Sequence, residues 1–434
     1  MKGFFSSSTI EKYSGEKRTS TIAACGSCGI YKKCKNPKLT AIGKGKKKIL
    51  IINDCVSAKE DYHGTYIIPN NIKKAFKDCG IDIEKDCKVI AAIQCFNGDR
   101  QGKHSWCSYA QIEACRPRIM KEVAEYKPRM IFLLSGQIFK KAEDSKFAVE
   151  SYLGHRWKKE LGGVHKWRNH VIPDHENNCW VVPTYSPQYI ERHAIKKGMD
   201  TTEIFWRQDI SQALEYLDKP LPHKFETSQI EVLTKEKEIN SRLNRILQLQ
   251  PYIAFDYETT GLKPHRKEQK IYTCSICDNL DSAFAFPMSD EILTNFKAIL
   301  LQWRIRKIAA NLKFEHIWSN VKLGTNVMGW LWDTMLTAHL IDNRKMITSL
   351  KFQSFVRFGV EDYDSHIAPF LKATDKEVDK YGANGLNQIH KIDMKDLLIY
   401  NGMDALLEYH LALDQMERMK IDPKEFRLPT SEGV

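Results

Sequence analysis

Three short apolar runs separated by a segment of helical spacing constrain the fold of this 434-residue chain more than any other feature. They are "KKKILIIND" (46–54), "PRMIFLLSG" (128–136) and "NCWVVPTYSP" (178–187). The first two end in polar residues or glycine and have no polar alternation, the pattern of parallel strands buried on both faces. Between them, "IEACRPRIMKEVAEYKP" carries apolar residues at helical spacing and stops at Pro128. Strand, helix, strand in that order predicts an α/β sandwich.

A chain this long exceeds one domain of about 100–200 residues. The composition changes near 216–250, where the turn-rich "LDKPLPHKFETSQ" precedes "IEVLTKEKEINSRLNRILQLQ", which reads as a polar linker helix. After Pro251 a second α/β unit begins. The expected division is a flexible basic arm (1–20), a first α/β domain (21–215), a linker (216–250) and a second α/β domain (251–434). No run approaches the roughly 18 apolar residues that span a bilayer. The first residues have no apolar core suited to secretion, so a cytoplasmic location and no membrane partner are expected.

The net charge is +12, and residues 1–50 hold 12 Lys or Arg against 2 Glu, a local excess of 12 − 2 = 10. A basic patch of this density points to a polyanionic partner, usually nucleic acid; a solvated tail is the alternative. Ten of the 12 cysteines precede residue 180, which fits metal ligation better than disulfides in an intracellular chain.

"PYIAFDYETTGL" (251–262) reads as a strand with Asp256 and Glu258 on one side, because side chains i and i+2 share a face. Adjacent carboxylates repel unless a cation lies between them, so a divalent metal is expected; two solvated acids at a strand end are the alternative. "KIAANLKFEHIW" places Asn311, Phe314 and Glu315 where a strand gives way to a helix. "LLIYNGMDALLEYHLA" places Tyr400 and Asp404 four apart on a helix, hence on one face.

Asp-x-Glu at 256–258, "NLKFE" at 311–315 and Tyr-x-x-x-Asp at 400–404, with "LWDTMLTAHLID" (331–342) between them, resemble the tyrosine-type DEDD 3′–5′ exonucleases. The resemblance is to the proofreading domain of family A DNA polymerases and covers about 251–420. It implies a ribonuclease H-like fold and phosphodiester hydrolysis with two Mg²⁺ or Mn²⁺ ions about 3.5–4 Å apart. Asp256 would bridge the ions, Glu258 and Asp404 would complete the shell of the first of them, and Tyr400 would orient or help deprotonate the attacking water. Leu262, Asn311 and Phe314 would meet the terminal nucleotides of single-stranded DNA or a primer 3′ end. The family has Asp where this chain has Glu315, one methylene longer; Asp333 is a weaker stand-in. Related domains of this type trim RNA, and a binding protein without catalysis is a further alternative.

"AACGSCGIYKKCKNPKL" offers Cys25-x-x-Cys28 with Cys34 nearby, a spacing open to zinc, iron–sulfur or redox chemistry. "CSIC" (274–277) is read as buried thiols. "VIAAIQCFNGDR", then "IEACRPRIMKEVAEYKPRMIFLLSG", then "VVPTYSPQYIERH" resemble, in that order, the iron–sulfur (family 4) uracil-DNA glycosylases over roughly 20–200. Carried over, Cys25, Cys28, Cys95 and Cys115 would hold a 4Fe–4S cluster. Cys34 and Cys107 are competing ligands, and Zn²⁺ or free thiols without a metal are the alternatives.

The catalytic motifs of that family are altered. Its Gly-Glu-Ala-Pro-Gly falls on "NDCVS" (53–57), with Asp54 for Glu; its uracil-reading Asn falls on Ala91, and the His of its last motif on Ser186. Ala91 cannot hydrogen-bond a flipped base, and Ser186 cannot supply a positive charge. Asp61 and Gly64 do keep the pattern. The first domain is therefore expected to be inactive as a glycosylase and to bind DNA, with Arg116 and Arg118 gripping phosphates. A glycosylase-like domain before an exonuclease domain resembles the N-terminal part of some bacteriophage family A DNA polymerases, and a bacterial host cell would then be the setting. The chain ends about 30 residues past Asp404, so that polymerase is expected on a continuation of this chain or on a separate one, unless the exonuclease acts alone.

Overall fold

The computed structural model describes residues 24–98, 107–136, 146–191 and 201–422. The basic arm at 1–20 lies outside them. Two compact units are present: residues 1–224 with 355–362, and residues 225–354 with 363–434. Among the described residues no helix is long and apolar enough to cross a membrane.

In the first unit, β1 (Ile49–Cys55), β2 (Cys87–Ile93), β3 (Met130–Ser135), β4 (Ile172–Asp174) and β5 (Cys179–Tyr185) form one sheet in the order β2-β1-β3-β5-β4. All neighbours are parallel except β4, which runs antiparallel to β5. The apolar runs at 46–54 and 128–136 are thus adjacent central strands, which is why they lack polar alternation. Helix α1 (Tyr109–Tyr126) starts at a capping box between Ser108 and Gln111 and ends at Lys127, whose left-handed backbone precedes Pro128. It covers one sheet face together with α2 (Phe147–Leu153). On the other face Ile49, Ile51, Val89, Phe132 and Val182 pack against Trp206, Ile210 and Ala213 of α3 (Thr201–Leu214).

The second unit has a six-stranded sheet in the order β11-β10-β7-β8-β9-β6. Its strands are β6 (Ile230–Val232), β7 (Tyr252–Thr259), β8 (Ile271–Cys277), β9 (Ala283–Pro287), β10 (Arg306–Ala309) and β11 (Trp330–Asp333). β7, β8 and β9 form an antiparallel meander; β10 and β11 extend it in parallel from β7, and β6 lies parallel to β9 at the far edge. Cys274 and Cys277 are buried on β8, as read from sequence.

One boundary needs correction. The linker read over 216–250 contains β6 and helix α4 (Glu236–Leu249), and both belong to the second unit. Ile239, Leu243 and Ile246 recur at helical spacing and are buried with Phe255, Tyr257, Phe286 and Phe296. Their stripe is narrow and set among Lys, Glu, Asn and Arg, so the segment looks polar on average. β6 is held just as closely: a Cβ at Gly402 would lie 2.3 Å from Ile230 Cγ2.

Four further helices position the site. These are α5 (Lys313–Leu323), α6 (Thr334–Ile341), α7 (Leu350–Phe358) and the 25-residue α8 (Met394–Arg418). Asp393 caps α8 by accepting from the backbone N–H groups of Lys395 and Asp396. α8 then packs across β7, β8, β9 and β6.

Candidate active site

The two faces of β7 divide its labour. Ile253, Phe255 and Tyr257 point into the core shared with α4. Strand periodicity sends Asp256 and Glu258 to the opposite face, where α8 lies. Asn401 of α8 fixes this docking: its Nδ2 donates to Asp256 Oδ2 at 2.7 Å, and its Oδ1 accepts from Thr273 Oγ1 at 2.9 Å. Asp404, on the same helix, completes a cluster. One carboxylate oxygen from each of Asp256, Glu258 and Asp404 lies within 4.8 Å of the others. Among the described residues this is the one group of three or more such donors so close together.

Glu315 reaches the neighbourhood from the first turn of α5, and its charge is felt together with those of Asp256 and Glu258. Its side chain is buried and its Oε2 has no hydrogen-bond partner. Tyr400, one turn before Asp404, is buried beside Asp404 and Glu258; burial first and those charges second push its hydroxyl well above the usual phenol range. In the metal-free protein it stays protonated, a donor able to orient water rather than a base. Asn311 and Leu312 give their backbone N–H groups to Asp333, each at 3.1 Å, and Asp333 also caps α6. Asp333 is therefore a structural carboxylate that pins the turn before α5. Phe314 leans on the core beside Trp318, while Leu262 is 67% exposed and free to meet a ligand.

Three site residues were not singled out in the sequence. Glu408 is buried one turn beyond Asp404, so Tyr400, Asp404 and Glu408 make one stripe; the same spacing that revealed the first two would have revealed the third. It accepts from the backbone N–H of Ala310, yet its Oε2 is unpartnered. Lys351, from α7, forms an ion pair with Asp404 Oδ1. Tyr363 donates to that same oxygen at 2.5 Å. No local pattern marks Lys351 or Tyr363, because only tertiary packing brings them to the acids.

In the first unit, Cys25, Cys28, Cys95 and Cys115 line one cavity, together with Tyr31, Lys38 and Arg118. Backbone N–H groups point at three of the sulfurs: Ile30 at Cys28, Lys38 at Cys95 (3.3 Å) and Gln94 at Cys115. A hydrogen bond from Cys34 holds the Cys95 thiol down at about 7, whereas burial pushes Cys115 up to about 12. Neither Cys34 nor Cys107 lines the cavity. Cys34 Sγ lies 3.5 Å from the Ile30 carbonyl oxygen and 3.3 Å from that of Phe96, and Cys107 is buried with Asn97 Nδ2 at 3.4 Å.

Of the two arginines read as phosphate grips, Arg116 is not placed for that role. Arg116 is 3% exposed; its guanidinium donates to the carbonyls of Ser151 and Glu150 and pairs with Glu113, tying α1 to α2. Arg118 is half-buried against the cysteine cavity, bonded to Gln94 and to the Lys38 carbonyl. Arg116 sits on a helix face turned inward, which the exposed look of "RPR" does not reveal.

Residues 230–419 match the 3′–5′ exonuclease family, and residues 41–208 match the uracil DNA glycosylase superfamily. The second unit carries a 3′–5′ exonuclease domain. The first carries a uracil DNA glycosylase superfamily domain, so the chain joins a glycosylase-like α/β fold to a ribonuclease H-like nuclease fold. Among solved structures, NrnC of Brucella melitensis with bound Mg²⁺ is similar at 16% identity, over 45% of this chain and 85% of that one, with a TM-score of 0.31. RNase D of Trypanosoma brucei in complex with GMP is similar at 16% identity, over 43% and 57%, with a TM-score of 0.33. Escherichia coli RNase D is similar at 13% identity, over 44% and 45%, with a TM-score of 0.30. No curated protein matches the chain.

An exonuclease domain of this family implies divalent metal ions, and the donor set fits them. Oxygens bound to one Mg²⁺ at about 2.1 Å lie about 3–4 Å apart, within the spread of the three carboxylates. The unpartnered oxygens of Glu315 and Glu408 are buried acceptors that a cation would satisfy.

Burial, then mutual repulsion, raises Asp256, Glu258, Glu315 and Glu408 well above the ordinary carboxylate range. Above that range the metal-free folded exonuclease domain holds protons that the unfolded chain has lost, so its stability falls as pH rises toward the raised values. Divalent ions bind the deprotonated acids. We therefore expect Mn²⁺ to raise the melting temperature more at pH 8 than at pH 6. Calorimetry against an EDTA control checks this, and an equal shift at both pH values would contradict it.

In the glycosylase-like domain, the positions of the family's catalytic residues serve the fold. Asp54, at the end of β1, is buried and accepts from Ser135 Oγ (2.6 Å), the Ala148 N–H (2.8 Å) and the Gly136 N–H (3.1 Å). Ala91 is buried on β2. Ser186 accepts from the backbone N–H of Tyr189 at 3.2 Å, capping the turn that follows β5. Asp61 accepts from the N–H groups of Lys35 and Asn36, and Gly64 takes the left-handed position that ends its helix.

Proposed function

We propose that the chain is a metal-dependent 3′–5′ DNA exonuclease of the proofreading type, with an accessory DNA-binding domain that has lost glycosylase chemistry. The observation that carries this is the convergence of Asp256, Glu258 and Asp404 within one 4.8 Å cluster of a 3′–5′ exonuclease domain. Asp256, Glu258 and Asp404 would hold the divalent ions, with Glu315 as a further buried acid beside them. When bound, such ions would supply activation of a water and charge stabilisation at the leaving oxygen. The protein's own groups do the rest. Tyr400 orients the water through its protonated hydroxyl, Asn401 holds Asp256 in place, and exposed Leu262 packs on the terminal base. DNA is favoured over RNA because the accompanying domain belongs to a superfamily that acts on DNA.

Cys25, Cys28, Cys95 and Cys115 hold a 4Fe–4S cluster; four thiols around one cavity with backbone N–H groups aimed at three of them support it. By domain order, the nuclease serves a family A DNA polymerase of bacteriophage type, in the cytoplasm of the bacterial host. All twelve cysteines are unpaired, as suits that compartment.

The test uses 3′- and 5′-labelled single strands of DNA and RNA with Mg²⁺, Mn²⁺ or EDTA. Release of mononucleotides from DNA 3′ ends, faster than from RNA and absent in EDTA, is the expected result. RNA digested at least as fast would overturn the DNA assignment, and binding without degradation would overturn catalysis. Uracil-containing DNA should yield no abasic sites.

A further inference from the structure

We propose that Lys351 is the resting counter-cation of the acidic cluster, and that a divalent ion engages Asp404 fully only by displacing its ammonium group. This rests on the divalent-ion site described above and adds a residue that sets the ion concentration at which that site fills.

Asp404 Oδ1 is already engaged twice, by Lys351 Nζ and by the Tyr363 hydroxyl. The ammonium group also donates to Tyr363 Oη at 2.7 Å. It lies 4.0 Å from the ring centroid of Tyr363 and 4.3 Å from that of Tyr400. The two rings are neighbours, 6.0 Å apart, so they offer one continuous aromatic seat. A cation over aromatic faces is attracted by their quadrupoles, so Nζ keeps a favourable place after it leaves the carboxylate. The lysine side chain is 17% exposed, which limits how far it can retreat into water.

Competition and electrostatics act in the same direction. While Nζ occupies Oδ1, that oxygen is withheld from an incoming ion. Its positive charge also acts on Asp256 and Glu258, so that once those acids give up their protons to an ion, the net attraction for that ion is lower. Removing the charge therefore strengthens ion binding by both routes. A purely structural ion pair predicts the reverse, because loss of the contact would loosen Asp404 and weaken the site.

The experiment measures Mn²⁺ binding to the full chain by titration calorimetry at neutral pH. Lys351→Met keeps the length of the stem and is expected to bind Mn²⁺ on the order of tenfold more tightly than the wild type. The Mn²⁺ concentration giving half-maximal nuclease rate should fall in parallel. Lys351→Arg keeps the charge and should bind within about threefold of the wild type. In an Asp404→Asn background, Lys351→Met should give a smaller gain, because the competition for Oδ1 is gone and only the electrostatic route through Asp256 and Glu258 remains. Unchanged or weaker binding in Lys351→Met overturns the proposal, as does equal tightening in Lys351→Arg. If Lys351→Met fails to fold, Lys351→Gln serves with the same expectation. Should the wild type bind no Mn²⁺, the metal-site assignment itself falls. Should it bind Mn²⁺ in a manner abolished by Asp256→Asn while Lys351→Met changes nothing, only the role of Lys351 falls.

Discussion

Asp256→Asn is expected to slow release of nucleotides from DNA 3′ ends by about a thousandfold, with the protein still folded. Asp256 belongs to the three-oxygen cluster, and its charge is felt by Glu258, Glu315 and Glu408. Asparagine has the same shape and can still accept from Asn401 Nδ2, so the docking of α8 on β7 survives. What is lost is a charge and an oxygen of the cluster that would hold the divalent ions. Stability should move the other way. Asp256 is disfavoured as a charge by burial and by Asp404, so the neutral amide relieves repulsion in the metal-free protein. The expected pair of results is a collapse in rate and a metal-free melting temperature at or above that of the wild type. Single-turnover digestion of a 3′-labelled strand, with calorimetry alongside, reads both. A variant retaining more than about a tenth of the rate would show that the chemistry lies elsewhere.

Local periodicity made the core of this site legible. A period of two brought Asp256 and Glu258 to one face of β7, and a period of four brought Tyr400 and Asp404 to one face of α8. The same logic identified β1 and β3, whose unbroken apolar runs can only be strands covered on both faces. It failed where composition masks a narrow stripe, as in α4, whose Ile239, Leu243 and Ile246 are outnumbered by polar neighbours. It failed again for Arg116, because a long polar side chain on a helix gives no sign of whether its face is turned inward. Lys351 and Tyr363 were beyond reach for a different reason. Their meeting with Asp404, 53 and 41 residues away, is set by packing across the unit rather than by spacing along the chain.

The second large effect is expected in the first unit, on replacing a cavity cysteine. Cys115→Ser should remove the visible absorption near about 400 nm and the iron, expected at about four atoms per chain in the wild type. The four cavity cysteines come from three separate segments: the short helix Cys25–Cys28, the loop after β2, and α1. A metal group bound to all of them ties these segments together, and stability that comes from ligation is lost with it. The cost should be several kcal/mol, an order-of-magnitude figure for a structural metal site, read as a large drop in the melting temperature of the first transition. Cys34→Ser and Cys107→Ser are the controls. Neither sulfur lines the cavity, so both variants should keep their iron. Iron lost from Cys34→Ser but retained by Cys115→Ser would reassign the ligands, and zinc in place of iron would identify the alternative metal. The acids proposed to cut DNA all lie in the other unit. Cys115→Ser should therefore still digest short oligonucleotides while binding long DNA less tightly, separating what the glycosylase-like domain holds from what the exonuclease domain cuts.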